Sequence, residues 1–288
     1  MLNNVFLEQI KRFDPKNIIE IKNAMKEVLQ DIILVGLAKT DFFKYAAFYG
    51  ETSLRIFRAL PRFSEDLDFT LVTKNTNIDF EYYLTRAKKE LDSMMIDSKL
   101  YTKDKKQNTT VQSYFYKFNL IKLFEISYPD YCNKITNGEL LSIKVELETD
   151  VFEGGITERK ILMYPSFAAV TTFTMETLFA SKLLAVLNRK WKTRVKGRDF
   201  YDYLFYISNK TKVNLSFLEN GLKEFGYLEK NERLTLNRLK EELMLRFNSI
   251  DYDECKKDIL PFISNRDPFK EAFNKDIFIA TVDELEEA

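Results

Sequence analysis

The chain has 288 residues, 45% hydrophobic and 31% charged, and its 44 lysines and arginines balance 44 aspartates and glutamates. That length suits one large domain or two modest ones with ample core, and the neutral balance leaves any nucleic acid to be met by a local basic patch. Histidine is absent, which excludes Ser-His-Asp and Cys-His nucleophilic sites, zinc hydrolases and histidine proton shuttles and leaves carboxylates, lysine, arginine, hydroxyls and metal ions.

Cys132 and Cys255 lie far apart and outside any Cys-x-x-Cys pair, which argues against a disulfide framework or structural zinc. No apolar stretch approaches the roughly 18 to 20 residues needed to span a bilayer. Met1 to Lys11 is charged and amphipathic rather than a signal peptide, so the expected location is cytoplasmic.

In chain order, Ile18, Ile21, Met25, Val28, Leu29 and Ile32 recur at helical spacing after Pro15, predicting a long helix over residues 15–36. The aromatic run 42–49 reads as a buried strand. Gly50 then permits the tight turn that a phosphate-cradling strand-to-helix junction needs, although a glycine can also simply end a strand. Thr52 or Ser53 could cap the following helix and offer a hydroxyl to phosphate.

After Pro61 the run Leu67 to Phe69 predicts a strand. Side chains two apart share a face, so Asp66 and Asp68 project together while Leu67 and Phe69 face the core. Paired carboxylates of this kind suit Mg²⁺ held partly through substrate phosphates, and they equally suit a solvated strand edge. A helix over 79–97, a polar linker at 103–108 and a strand-like run over 110–124 follow. The strand 141–148 alternates strictly, putting Lys144, Glu146 and Glu148 opposite Ile143, Val145 and Leu147. Beside the aspartate strand, Glu146 or Glu148 would supply a third carboxylate.

Residues 158–173 read as short strands interrupted at Pro165, and the pattern then turns helical over 175–191, 198–208, 214–225, 230–248 and 267–286. The expected class is α+β: a mixed-sheet core with flanking helices over residues 1–174, then a helical domain over 175–288. On the first of those late helices Lys182, Ala185 and Arg189 share a face. Seven basic residues and no acid run from Lys182 to Arg198 around Trp191, a pattern that suits either a polyanion grip with base stacking or a solvated basic turn. Asp199 and Asp202 follow one helical turn apart, placed to orient a cation or act as a base.

Gly50-x-Thr52-x-Leu54-Arg55, Leu60-Pro61-Arg62-Phe63-Ser64-x-Asp66-x-Asp68-Phe69, Glu176-x-Leu178-x-Ala180-x-Lys182-x-x-Ala185-x-x-x-Arg189 and Arg198-Asp199-x-x-Asp202 together resemble the AbiEii/AbiGii toxin family of the DNA polymerase β-like nucleotidyltransferases. The resemblance implies a nucleotidyltransferase sheet-and-helix core, Mg²⁺, a nucleoside triphosphate donor (NTP), and the toxin role of a type IV toxin–antitoxin or abortive-infection pair with a cognate antitoxin encoded nearby. Relatives of this kind modify RNA, in some cases the tRNA 3′ acceptor end. Carried over by position, Asp66 and Asp68 would hold metal and Gly50 and Thr52 the triphosphate. Ser64 would bond a phosphate or brace the aspartates. Lys182 would neutralise phosphate charge, and Asp199 would be a further catalytic acid supported by Arg189 and Arg198. The family shows Gly-Gly or Gly-Ser where this chain has Gly50-Glu51. A bulky acid there either points away from the triphosphate or weakens donor binding. Glu51 thus leaves a nucleotide- or RNA-binding module without catalysis as one alternative, and the same fold with a protein hydroxyl as acceptor, a protein-nucleotidylating enzyme, as another.

Overall fold

The computed structural model describes residues 5–73, 78–102, 110–189, 196–264 and 267–288. The linker at 103–108 and three of the seven basic residues, Lys190, Lys192 and Arg194, together with Trp191, lie outside the described residues. In chain order the elements are α1 (Val5–Lys11), α2 (Ile18–Ala38), β1 (Ala46–Tyr49), α3 (Gly50–Arg58), β2 (Leu67–Leu71), α4 (Phe80–Ser93), β3 (Lys99–Thr102), β4 (Val111–Asn119), α5 (Leu120–Glu125), β5 (Leu140–Glu148), β6 (Thr157–Leu162) and β7 (Ala168–Phe173). They are followed by α6 (Met175–Asn188), α7 (Gly197–Ser208), α8 (Leu215–Glu224), α9 (Leu236–Asn248), α10 (Tyr252–Ile259) and α11 (Lys275–Thr281).

Capping decides several boundaries that periodicity alone misplaces. Asn17 accepts from the backbone N–H of Ile19 and Glu20, so α2 begins there and not at Pro15. Asn119 caps a short helix at the place where the sequence predicts a continuing strand: its side chain accepts from Lys122 N–H and turns the chain into α5. Residues Phe42–Lys44 form a 3₁₀ turn ahead of β1 rather than part of it. In the C-terminal region Asp251 caps α10, an element not predicted. The helix expected over 267–286 shortens to α11, begun by Asn274.

The chain divides into two compact units, one of residues 1–57, 64–151 and 159–172 and the other of 58–63, 152–158 and 173–288. The second thus takes in two short segments that the expected cut after residue 174 gives to the first.

The sheet is seven-stranded and mixed, in the order β3-β4-β5-β2-β1-β7-β6. β2 runs antiparallel to β1 and parallel to β5, and β1 runs parallel to β7. One face is closed by α2 and α4, which bury Val28, Leu29, Ile32, Ile33, Leu84 and Leu91 against Leu67, Phe69, Tyr116, Ile143, Val145 and Leu147. Each such fully buried side chain contributes about 1.5–3 kcal/mol relative to exposure. At Gly36 the two helices touch backbone to backbone, and a Cβ there would lie 2.5 Å from the Ala87 carbonyl oxygen. The second unit has its own core of stacked rings, with Phe179 on Tyr206 (centroids 4.6 Å apart) and Tyr203 on Phe278.

Candidate functional site

In the first unit, the acids meet at the β1–α3 junction. Gly50 has φ +76°, a left-handed conformation that costs a side-chain-bearing residue energy, and a Cβ on it would lie 2.9 Å from Asp68 Oδ2. Glycine is therefore required on two independent grounds, backbone angle and room for the aspartate. Tyr49 pairs with Asp68 across β1 and β2, and Asp68 pairs with Glu146 across β2 and β5, whereas Glu148 stands opposite Thr70. The register thus chooses between the two glutamates the sequence left open: Glu146 is the one beside Asp68.

Glu146 is steered by its neighbours, accepting from the Ser113 hydroxyl and the Lys144 ammonium. Thr52 is fully buried, and its hydroxyl is directed to Ser64 Oγ at 2.8 Å and to the Asp66 carbonyl. The Ser64 carbonyl in turn accepts from the buried Gln30 amide at 3.2 Å. These contacts make Thr52 and Ser64 braces of the loop that delivers the aspartates. Arg55 makes a two-pronged pair with Glu27 at 3.0 and 3.1 Å.

Electrostatically both aspartates are held in the direction of the neutral acid. Burial, then Glu51, Asp66 and Glu146, push the Asp68 carboxyl up to about 8 against the pull of Lys144. Burial also raises Asp66, with Glu65, Glu146 and Glu51 adding to it and Lys144 opposing. Glu51, the departure from the family's glycine-rich turn, therefore bears on the acids. Its charge reaches both aspartates. That could not be read from the sequence, because the direction of a first-turn helix side chain depends on how the helix leaves the sheet.

Among the described residues no group of three or more histidine, cysteine, aspartate or glutamate side chains stands at metal-binding spacing. Mg²⁺ does not need such a cage: it is commonly bound by one or two carboxylates, with waters and substrate phosphates completing the shell. Asp66 and Asp68, crowded by Glu146 and Glu51 with Lys144 as the compensating cation, are a donor set that fits it.

In the second unit a buried ion network runs through five residues. Arg62 Nε and Nη2 meet the Asp202 carboxylate at 2.7 and 2.8 Å, both side chains fully buried. Lys182 Nζ reaches Asp202 at 2.8 Å and Asp199 at 2.9 Å. Arg189 closes the chain on the other Asp199 oxygen. Arg198 stands apart from this network, 3.9 Å from Asp258 and over the Phe262 ring. The sequence pattern contained Arg62 as well as Lys182, Arg189, Asp199 and Asp202 but gave it no role, since its partner lies 140 residues away. The thiol of this unit, Cys255, is buried and pushed up to about 12, which makes it inert.

The fold is that of nucleotidyltransferases. The MenT4 nucleotidyltransferase toxin of Mycobacterium tuberculosis H37Rv matches 99% of this chain over 91% of its own, with 15% identity and a TM-score of 0.58. The protein JHP933 of Helicobacter pylori matches 91% of this chain over 90% of its own, with 20% identity and a TM-score of 0.50. A comparison with curated proteins finds no match. The family model described as nucleotidyl transferase AbiEii toxin, type IV toxin–antitoxin system, matches residues 32–275. The chain belongs to that family and is a nucleotidyltransferase toxin of a type IV system. Among the described residues no helix is long and apolar enough to cross a membrane.

Proposed function

We propose that this toxin transfers a nucleoside monophosphate from an NTP to a hydroxyl of an RNA acceptor, in the cytoplasm and with Mg²⁺ held by Asp66 and Asp68 beside Glu146. The observation that carries the reading is the crowding of carboxylates at the Gly50 junction, where Glu51, Glu146 and burial all raise the two aspartates and Lys144 opposes them. Bound there, Mg²⁺ would supply charge stabilisation for the phosphates as the α-phosphorus changes partners.

The acceptor oxygen forms its bond to the α-phosphorus, the bridge to the β-phosphate breaks, pyrophosphate leaves and the hydroxyl proton is lost to solvent. The Gly50 turn keeps the start of α3 free of a side chain, and the α3 N-terminus offers backbone N–H groups to phosphate oxygens. Thr52 and Ser64 hold the aspartate loop. Lys182 and Arg189 are assigned to neutralising phosphate charge. Asp199, already engaged by both cations, is assigned to positioning them rather than to accepting a proton. The partner protein is a cognate antitoxin.

Incubation with labelled NTPs, Mg²⁺ and total RNA should place label in RNA, and Asp68→Asn should abolish it. Label that enters only protein would move the acceptor to a protein hydroxyl; labelling of RNA that survives Asp68→Asn would sink the assignment.

A further inference from the structure

The register of β2 to β5 extends the acid cluster into an ordered surface. The first row across the open face of the sheet is Asp68, Glu146 and Ser113. Two residues further along, the next row is Lys144, Phe115 and Tyr101, and the third is Ser142, Lys117 and Lys99. Residues directly opposed across a ladder share a face, so these rows lie side by side at about 7 Å spacing. The alternate residues, Tyr114, Tyr116, Phe118, Ile143 and Val145, are buried in the core on the other face.

The second and third rows have the composition of a single-strand platform. Tyr101 is 43% exposed, Phe115 and Lys117 are half-buried and Lys99 is exposed. Lys117 Nζ sits 4.6 Å from the Tyr101 ring centroid, a cation placed over an aromatic face beside a second aromatic. Across β5, β4 and β3 the second and third rows hold three lysines and no acid, Lys144 being paired with Glu146 of the first row, which with Asp68 holds the carboxylates. Polarity therefore changes sign from the sheet's β3 edge to the acid cluster. Neighbouring rings flanked by lysines bind unpaired nucleic acid through base stacking and phosphate contact, with little need of sequence.

We propose that the face formed by Lys99, Tyr101, Phe115, Lys117 and Lys144 binds single-stranded RNA and leads its end toward Asp68. The assignment of the RNA as acceptor rests on the transfer reading above; the binding does not.

The test uses the full chain and a fluorescein-labelled unstructured 12-nucleotide RNA, followed by anisotropy across a salt series, with the DNA of the same sequence as a second arm. Tyr101→Ala should weaken binding about tenfold, as expected for one lost stacking partner. The double variant Lys99→Gln/Lys117→Gln should reduce the slope of log affinity on log salt by about 1.4, two phosphate contacts at about 0.7 each. Lys257→Gln, an exposed lysine on α10, should change neither. These side chains are surface groups, so melting temperatures should stay near that of the parent and separate lost binding from lost folding. RNA affinity and salt slope unchanged in both variants would overturn the proposal, as would binding that prefers the DNA. The two readings fail separately. RNA binding that depends on Tyr101 with no label transferred to any acceptor leaves the surface standing and removes the transfer reading, whereas RNA labelling undiminished in both surface variants does the reverse.

Discussion

Asp68 shares its surroundings with three other carboxylates, Glu51, Asp66 and Glu146, and one opposing lysine. A divalent ion that binds the folded chain and not the unfolded one stabilises it by mass action, by about 2.7 kcal/mol at a hundred times Kd. Mg²⁺ should therefore raise the melting temperature of the parent chain and leave Asp68→Asn unmoved in a thermal-shift titration, with transfer in the variant down by about a hundredfold or more. A second residue-scale case lies on α2. Asp31 is buried, and among the described residues it has no hydrogen-bond or ion-pair partner; burial pushes its carboxyl up to about 8, with Glu27 adding and Arg12 opposing. The folded chain thus holds a proton there that the unfolded chain releases near pH 4, so this group's contribution to stability is full below pH 4 and is lost as pH rises to about 8. Asp31→Asn should match the parent in urea melts at pH 4 and exceed it at pH 8, by roughly 2 to 4 kcal/mol. The Arg62–Asp202–Lys182 group behaves oppositely. Lys182→Met removes one partner of a buried pair and should cost roughly 3 to 5 kcal/mol, again read from urea melts.

At the scale of elements, the β1–α3 junction concentrates what the fold requires for chemistry. Gly50→Ala meets both the left-handed backbone angle and Asp68 Oδ2. It should lower the melting temperature and lose Mg²⁺-dependent transfer together, whereas a change in stability alone would separate the turn from the acids. Strand content was legible because alternation is a strong signal: the residues that face the core in β2 and β5 are those the sequence assigned to it. The aspartate pair and the glutamate strand were legible for the same reason. What was not legible is the register, which decides Glu146 over Glu148 and depends on how β2 and β5 slide past each other. Short capped elements were also hidden, since α5 and α10 are begun by single side chains, Asn119 and Asp251, in stretches whose periodicity is weak.

For the whole molecule, membership of the type IV toxin family predicts that induced expression of the chain arrests growth, that co-expression of the cognate antitoxin relieves the arrest, and that Asp68→Asn is harmless at equal protein level. Colony counts with immunoblots decide it, and arrest that persists with Asp68→Asn would detach toxicity from nucleotidyl transfer. The family was legible because four ordered motifs span much of the chain. The Arg62–Asp202 pair was not, because nothing local in either segment announces a partner so remote in sequence.

That pair also governs how the gene can be dissected. Segments 58–63 and 152–158 belong to the same unit as 173–288, so the polypeptide leaves and re-enters each unit several times, and no single scission yields two self-sufficient pieces. A fragment stopped after residue 174 would carry Arg62, a guanidinium that is fully buried in the intact chain, without the carboxylate of Asp202. Its complement would keep the carboxylate and lack the arginine. Truncation libraries and split-protein reporters cut at that boundary should consequently return insoluble halves, and reassembly would have to restore the order in which the segments interleave.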